Sequence, residues 1–372
     1  MTILINTSNL SKGGGIQVAD SVIRYLHRYP QHTFIVVLSK GMEETADRLT
    51  DTENVRVAHF TLPPRDTRSY LTGRVPFLDT LVSKYSVDCV LSIFGPITWH
   101  PKCPHVCGFA IPHLVIPESP YFKMLSKKDY LRTKLFILIN RIKFQLGTKY
   151  LYTENPLIST RVAKLIKGSH VRTITNNYNQ IFDQPDNCKP ISLPSFEGTT
   201  LLTVSSSYPH KNLGIAINIA DDLESIAPDF SFRFVFTVKK DDYPAVPERL
   251  SKHFVFLGSV DISSVPSLYS QCDIVFHPSL LECFSSVYTE AMKMQKPLLV
   301  ADMVFSRGLC EDAALYYSPI SHEEAARRIL ELASNASLRT SLIKSGLVQL
   351  EKFDTAMDRS DKLIKYCEDL IS

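Results

Sequence analysis

The sequence has 372 residues, of which 44% are apolar and 21% are charged, and its formal net charge is only +3. A chain of this length can bury the cores of two or three domains, and its near-neutral charge disfavours a nucleic-acid partner. It has no apolar run of eighteen residues and no signal-peptide pattern, and its eight cysteines lack a paired framework. We therefore expect a cytoplasmic protein without membrane-spanning helices or disulfide bonds.

The first half of the chain alternates between predicted strands and predicted helices. Thr2–Thr7 predicts a strand, a glycine-rich turn follows at Lys12–Gly15, and helical spacing covers Ile16–Tyr29. A further helix is predicted at Leu157–Ile166, and further strands at Thr33–Leu38, Val55–Thr61, Asp88–Ile93, Val106–Ile111, Lys149–Thr153 and Val171–Thr175. This alternation is typical of a parallel sheet with helices on both faces.

The alternation stops in a proline-containing stretch and then restarts. We interpret 185–198 as a linker between an N-terminal domain, 1–184, and a C-terminal domain, 199–352. A C-terminal helix at 353–372 follows, with packing back on the N-terminal domain as one option. The predicted strands are Thr200–Ser205, Phe232–Val238, Phe254–Leu257, Asp273–His277 and Pro297–Ala301, and the helices are Ser263–Gln271, Ser285–Met294, Glu323–Ser334, Ser337–Lys352 and Thr355–Ile371.

This pattern predicts an α/β protein of two Rossmann-like domains with parallel sheets facing across a cleft. Ligands of such sheets bind beyond the carboxyl ends of the strands. The first motif in such a position is Gly13–Gly15. Glycine lets the backbone approach a ligand closely, and the following helix N-terminus carries a partial positive charge, which suits phosphate. A plain tight turn is the alternative.

The second motif is Ser205–Leu213, which contains Pro209-His-Lys-Asn212 and follows the first strand of the second half. A helix is predicted to begin near Lys211 or Asn212, and the helix dipole disfavours a cation such as Lys211 at that end. A bound anion between the lysine and the helix would offset that cost. The alternative is an ordinary solvated lysine.

The third motif is Asp273–Met292, in which a buried strand ends at His277, a loop carries Glu282, and a helix carries Glu290. A carboxylate near a helix N-terminus can accept both hydroxyls of a ribose, and the amides of Ser285 and Ser286 can hold phosphate. Two alternatives remain at this point. Glu290 can be a surface acid that matches the helix dipole, and Glu282 can complete a capping box begun by Ser279.

This third stretch resembles the E-x7-E motif of retaining glycosyltransferases of family 4, whose usual pattern is P-S-x-x-E-G-F-G-x-x-x-x-E-A-M. Matches occur at Pro278, Ser279, Glu282, Phe284, Glu290, Ala291 and Met292. Cys283 and Ser285 replace the usual glycines, which puts the identity of the sugar in doubt. The second motif is similar to the phosphate-binding lysine motif of this family but lacks its usual preceding arginine. The Gly13–Gly15 turn matches the N-terminal glycine-rich loop.

The resemblance implies the GT-B fold and a retaining, hexosyltransferase-type activity without a metal or other cofactor. It assigns catalytic roles to His113, Lys211 and Glu282. His113 follows a middle strand and would face the donor sugar, although it can also be a loop histidine bonded to backbone. The donor-binding residues implied are Gly14, Gly15, Lys211, Phe284, Ser285, Ser286 and Glu290. No Asp-x-Asp stands at a strand end, so we expect metal-independent turnover.

The implied substrates are a nucleoside diphosphate-sugar donor and a glycan or lipid-linked glycan acceptor, as in surface polysaccharide biosynthesis (O-antigen or capsule). Two alternatives share the fold: a degenerate homologue that binds nucleotide without turnover, and a sugar-nucleotide epimerase. A phosphorylase also uses two such domains. A dinucleotide-dependent dehydrogenase is disfavoured because no G-x-G-x-x-G follows a strand.

A basic stretch at 123–149 carries eight lysines or arginines and a single acid, Asp129. Apolar residues interleave with them at Leu131, Leu135, Ile139, Ile142 and Leu146. A basic amphipathic helix can lie on an anionic membrane leaflet, which would place the protein peripherally on the inner face of the cell membrane. The alternative is a helix whose apolar stripe packs on its own domain.

Overall fold

The computed structural model describes residues 1–10, 13–42, 45, 46, 49, 53–63, 69 and 72–371. The chain forms two compact units. The N-terminal unit contains residues 1–115, 126–176 and 354–372, and the C-terminal unit contains residues 116–125 and 177–353. Each unit is built on one parallel sheet. The predicted α/β class with two parallel sheets is therefore confirmed.

The first 176 residues supply the seven-stranded sheet, whose strand order is β3-β2-β1-β4-β5-β6-β7. In chain order the elements are β1 (Thr2–Asn6), α1 (Gly14–Ile23), β2 (Thr33–Leu38), β3 (Val55–His59), α2 (Pro76–Lys84), β4 (Cys89–Ser92), β5 (His105–Gly108), α3 (Tyr121–Met124), α4 (Lys127–Leu146), β6 (Tyr150–Thr153), α5 (Pro156–Leu165) and β7 (His170–Thr173). The central strands β1 and β2 are almost wholly buried because helices cover both faces of a parallel sheet.

The rest of the chain supplies the six-stranded sheet, in the order β10-β9-β8-β11-β12-β13. Its elements are β8 (Thr199–Thr203), α6 (Ile215–Ile226), β9 (Phe232–Phe236), β10 (Phe254–Phe256), α7 (Val265–Ser270), β11 (Ile274–His277), α8 (Ser286–Lys293), β12 (Leu298–Ala301), α9 (Val304–Cys310), β13 (Ala314–Tyr317), α10 (His322–Ser334), α11 (Ala336–Leu350) and α12 (Ala356–Glu368).

Both sheets reverse their strand order at one place, between β1 and β4 and between β8 and β11. The loops that leave two such strands diverge to opposite sides of the sheet and open a crevice at its carboxyl edge. The Gly13–Gly15 turn follows β1, and the motifs with Lys211 and Glu282 follow β8 and β11. The fold therefore places all three motifs at reversal points.

The predicted strands are present with their ends shifted by at most three residues, but some elements differ. The helix after β8 begins at Ile215 and not near residue 211, because a 3-10 turn, Pro209–Lys211, ends at Asn212 in the left-handed region with φ 52°. The predicted helix Ile16–Tyr29 stops at Ile23. Helix α9 and strand β13 were not predicted from the sequence at all.

Specific contacts fix the C-terminal helix α12 and the segment that precedes β8. Helix α12 belongs to the N-terminal unit, where Leu363 and Ile364 join the core that contains Val22 of α1. Residues 177–198 group with the C-terminal unit. Within that stretch the amides of Lys189 and Leu193 donate to Ser263 O at 2.9 Å and Gln271 Oε1 at 3.0 Å. No helix within the described residues has the length and apolar content needed to cross a bilayer.

Candidate functional site

The loops after β8 and β11 are tied together at the carboxyl edge of the six-stranded sheet. Within the strands, Thr203 Oγ1 donates a hydrogen bond to Phe276 O at 2.8 Å. Beyond them, the amide of Leu280 donates to His210 O at 2.8 Å. These bonds hold two chain segments about seventy residues apart in sequence in one place. The site of the C-terminal unit is built on this junction.

Lys211 forms an ion pair with Glu282 across this junction. The 3-10 turn and the left-handed Asn212 direct the lysine, and its side chain is only 16% exposed. Lys211 is therefore not the solvated lysine that the sequence left open as an alternative. The premise of an α-helix starting at Lys211 is also wrong. The physical reason is that Pro209 and Asn212 favour a tight turn over a continuing helix.

Glu282 is a buried carboxylate whose charge is stabilised by a cation. Burial would raise its pKa, but the Lys211 ammonium and the His277 ring together outweigh burial and hold the pKa of Glu282 well below its usual range. Residues 278–285 form no helical turn, so the capping-box alternative for Glu282 is wrong. Its proposed partner Ser279 instead directs its hydroxyl to His210 O at 3.5 Å. Glu282 is therefore ionised at neutral pH and fixed in position.

His277 completes this cluster and was not predicted as a site residue. Its ring is 1% exposed, its Nε2 lies 3.4 Å from Glu282 Oε1, and Tyr288 packs against it edge to face. Burial lowers the pKa of His277, so the ring is neutral at physiological pH. A polar residue that ends an otherwise apolar strand, Ile274–His277, was the available sequence signal.

Glu290 lies one turn into α8 and is 3% exposed. The surface-acid alternative is therefore wrong. Tyr269 of α7 donates a hydrogen bond from its hydroxyl to Glu290 Oε2 at 2.8 Å. Burial raises the pKa of Glu290, although the hydrogen bonds from Tyr269 and Ser286 act in the opposite direction. Sequence reasoning missed Tyr269, because nothing in a six-residue apolar helix marks one tyrosine as a glutamate partner.

Ser285 is the N-cap residue of α8, and Ser286 is its first helical residue. The first amides of an α-helix have no acceptor within the helix, so this end of α8 can offer N–H groups to an anion. Phe284 packs edge to face on Phe353, with ring centroids 5.8 Å apart. Cys283 and Ser285, which stand where the pattern quoted in the sequence analysis has glycine, are both buried.

In the glycine-rich turn of the N-terminal unit, the backbone conformation requires a glycine at position 13, whereas neither conformation nor packing requires one at position 14. Gly13 has φ 76°, a conformation that disfavours other residues. A Cβ added to Gly15 would lie 3.3 Å from Leu10 Cδ2, whereas a Cβ added to Gly14 would meet no atom within 4 Å. Packing therefore does not explain the glycine at position 14. Residue 12 of the predicted turn lies outside the described residues.

His113 lies in a 3-10 turn, Pro112–Leu114, after β5. Its ring packs edge to face on Phe136 of α4, with centroids 5.7 Å apart, and burial lowers its pKa. His113, Gly14 and Gly15 belong to the N-terminal unit, and the other predicted site residues belong to the C-terminal unit. Within each unit they lie after a strand at the carboxyl edge of the sheet, either in the connecting loop or in the first turns of the next helix.

No group of three or more histidine, cysteine, aspartate or glutamate side chains within the described ranges is arranged to hold a metal ion. Positive charge at this site comes from the ammonium of Lys211 and from the partial charge at the amino-terminal end of α8. The metal-independence expected from the sequence remains a prediction.

Comparison with known proteins assigns part of the chain to a family. Residues 191–348 match the family model described as "Glycosyl transferases group 1". The O-antigen chain mannosyltransferase RfbU of Salmonella typhimurium is 27% identical over 124 residues, which cover 32% of this chain and 34% of RfbU. The match thus spans about a third of the length of that curated relative.

Solved structures match over the whole chain. A glycosyltransferase from Rickettsia africae has a TM-score of 0.71 at 14% identity, covering 100% of this chain and 98% of its own. HepE of Anabaena, solved in complex with UDP-glucose, has a TM-score of 0.67 at 15% identity, with both chains covered completely. At such identities the likeness concerns the fold. The chain therefore has the GT-B fold, and its residues 191–348 form a domain that matches the glycosyl transferases of group 1.

Proposed function

We propose that this protein is a retaining glycosyltransferase that moves a sugar from a nucleoside diphosphate-sugar to a glycan or lipid-linked glycan. One observation carries the proposal. Lys211 and Glu282 form a buried ion pair beside the amino-terminal end of α8, inside the domain that matches glycosyl transferases of group 1. A cation and a helix end at one sheet edge suit a diphosphate, and ionised Glu282 suits sugar hydroxyls.

Each residue has a role in this proposal. Lys211, together with the amides of Ser285 and Ser286, stabilises the diphosphate as the bond between the sugar and the leaving oxygen breaks. Glu290 accepts hydrogen bonds from the ribose, and Glu282 from the sugar. His113 acts near the donor sugar, and Gly14 and Gly15 bring backbone close to phosphate. The acceptor oxygen attacks on the face from which the diphosphate departs, and the leaving phosphate takes its proton.

Surface polysaccharide biosynthesis is the proposed setting. RfbU acts, by its name, in an O-antigen chain, and HepE was solved with UDP-glucose. Both are consistent with a nucleotide-sugar donor and a glycan acceptor at the inner face of the cell membrane. Transfer from a donor library, with NMR of the product anomer, tests the proposal. A donor converted without an acceptor indicates an epimerase, and nucleotide binding without turnover indicates a degenerate homologue.

Replacing Glu290 with glutamine should abolish nucleotide binding, because an amide is a weaker acceptor for two ribose hydroxyls than a carboxylate. The measurement is a thermal-shift titration with UDP, GDP, ADP, CMP and NAD. A ligand at about one hundred times its dissociation constant adds about 2.7 kcal/mol to the free energy of unfolding. One nucleoside diphosphate should stabilise the wild type and not Glu290→Gln. Glu331→Gln, at an acid of α10 whose side chain is 40% exposed, should keep the full shift.

The pH dependence of stability provides a second test on Glu290→Gln. The raised pKa means that the folded protein binds a proton at Glu290 more tightly than the unfolded chain does, so stability falls as the pH rises through that pKa. Glutamine does not ionise, so Glu290→Gln does not lose stability in this way as the pH rises. The melting temperature of unliganded Glu290→Gln should therefore gain on wild type between about pH 5 and about pH 8. A difference that is flat with pH would contradict the raised pKa.

Removing the Lys211 ammonium should reduce kcat by roughly 100-fold or more, because a preorganised charge at the leaving group is lost. Lys211→Ala also leaves Glu282 buried without a partner, at a cost of about 3–5 kcal/mol. The double variant Lys211→Met/Glu282→Gln should recover most of that stability and remain inactive. Steady-state kinetics and urea unfolding separate the two effects. Near-wild-type kcat in folded Lys211→Ala would refute the leaving-group role.

An alanine at Gly14 should leave stability unchanged or slightly higher, because its Cβ enters open space in the first turn of α1. Turnover should nevertheless fall by about tenfold or more if backbone at this point contacts the donor. Kinetics and thermal melts of Gly14→Ala check both halves of the prediction. Arg28→Ala, exposed beyond the far end of α1, serves as the control and should keep wild-type turnover. Unaltered turnover in Gly14→Ala would mean that the glycine does not meet the donor.

Turnover should continue in excess EDTA, because Lys211 and the N-terminus of α8 supply positive charge at the diphosphate. The assay compares initial rates after dialysis against the chelator with rates after magnesium or manganese is restored. Equal rates are expected. Complete loss in the chelator with recovery on adding either metal would show that the leaving group needs a divalent ion.

A further inference from the structure

Helix α4 uses only one narrow face to pack on its own unit. Asn140 and Phe144 are buried, and Thr133 and Ile137 are half-buried. Their spacing of four, three and four residues defines a single stripe on a helix with 3.6 residues per turn. These four side chains, together with the contact of Phe136 on His113, therefore pack α4 on its own unit, and most of this 20-residue helix faces outward.

A second apolar stripe lies on the opposite side of the helix. At 100° per residue its members fall within an arc of roughly 100° centred opposite the packed face. Their exposed fractions lie between 41% and 68%. The members of this outer stripe are Leu131, Leu135, Leu138, Ile139, Ile142 and Leu146. The sequence-based alternative, in which the stripe packs on its own domain, is therefore wrong, because other side chains fill that contact.

Cations border the outer stripe along both edges. Lys127, Lys134 and Arg141 follow one edge, and Arg132 and Lys143 follow the other, by the same helical spacing. The single acid of the helix, Asp129, lies in its first turn, where it bonds to the N-cap Ser126, and Arg132 lies 3.5 Å away. The outward surface thus consists mainly of leucine and isoleucine between two rows of positive charge, and exposed Lys128 lies within the stripe at its amino-terminal end.

We propose that α4 lies in the plane of an anionic lipid bilayer, with its outer stripe inserted among the acyl chains. The two rows of cations would then reach lipid phosphates on either side, with their aliphatic stems along the apolar boundary. This orientation goes beyond an amphipathic sequence, since it fixes which six side chains enter the lipid. It does not depend on the proposed transfer reaction.

Charge favours a lipid surface over a second copy of the chain. In a symmetric dimer the same face would meet itself, so the cationic edges of the two helices would approach each other and repel. An anionic bilayer offers apolar depth and opposite charge together, and both are needed to cover this surface. Six exposed aliphatic residues in one stripe also form a contiguous apolar patch rimmed by polar side chains, which is the pattern of an interaction surface.

The test is co-sedimentation of the full chain with vesicles of phosphatidylcholine alone and with about 30% phosphatidylglycerol, at low and high salt. We expect binding to the anionic vesicles that weakens with salt. Leu131→Gln/Leu135→Gln/Ile142→Gln should reduce the partition constant by about tenfold or more. Lys134→Gln/Arg141→Gln should lose about tenfold for anionic vesicles and little for neutral ones.

A matched triple variant controls for loss of any exposed apolar surface. Ile226→Gln/Ile320→Gln/Val348→Gln alters three equally exposed residues of the C-terminal unit and should bind vesicles like wild type. Equal binding by the two triple variants would overturn the proposal. So would a dimer, detected by light scattering, that only the α4 triple variant abolishes. Nucleotide thermal shifts in these variants report the donor site separately, so failure of either proposal is recognised without the other.

Discussion

The candidate site depends on one buried ion pair, between Lys211 and Glu282, at the place where the six-stranded sheet reverses its strand order. Two poorly solvated charges are stable together only while both loops keep their positions. The backbone bond between Leu280 and His210 and the hydroxyl bond from Thr203 hold those loops. Preorganised charge of this kind stabilises a developing anion without reorganising when the reaction occurs, which is why it supports the proposed role at a diphosphate.

Glu282 and Glu290 lie in opposite electrostatic environments although they are only eight positions apart in the chain. Lys211 and His277 together outweigh the effect of burial on Glu282 and keep it ionised, whereas burial raises the pKa of Glu290 despite its hydrogen bonds from Tyr269 and Ser286. Paired carboxylates whose environments separate their pKa values often have different functions. This difference supports a fixed charge beside the sugar for Glu282 and a ribose acceptor for Glu290.

Helix α4 illustrates a limit of amphipathicity as a sequence signal. Its packed face and its outer stripe lie on opposite sides, and the packed face includes the polar Thr133 and Asn140. The more apolar stripe, which alone would look like the core-facing side of an ordinary surface helix, is therefore the exposed one. The contacts of Asn140 and Phe144 decide which one is used for packing. What remains is an outward apolar surface with a charge pattern that suits lipid.

The sequence by itself determined the alternation of strands and helices, the two parallel sheets and the spacing of Glu282 and Glu290, because runs of buried β-branched residues and helical periodicity are local properties. It missed β13 and α9. It also extended a helix back to Lys211, because Pro209 and Asn212 end the turn through backbone geometry and not through a change in periodicity. Only the tertiary structure decided that Lys211 meets Glu282, that Tyr269 meets Glu290 and that the outer stripe of α4 faces away from its unit. These pairings join residues distant in the chain, and they depend on which strands become neighbours and which helix face the core occupies.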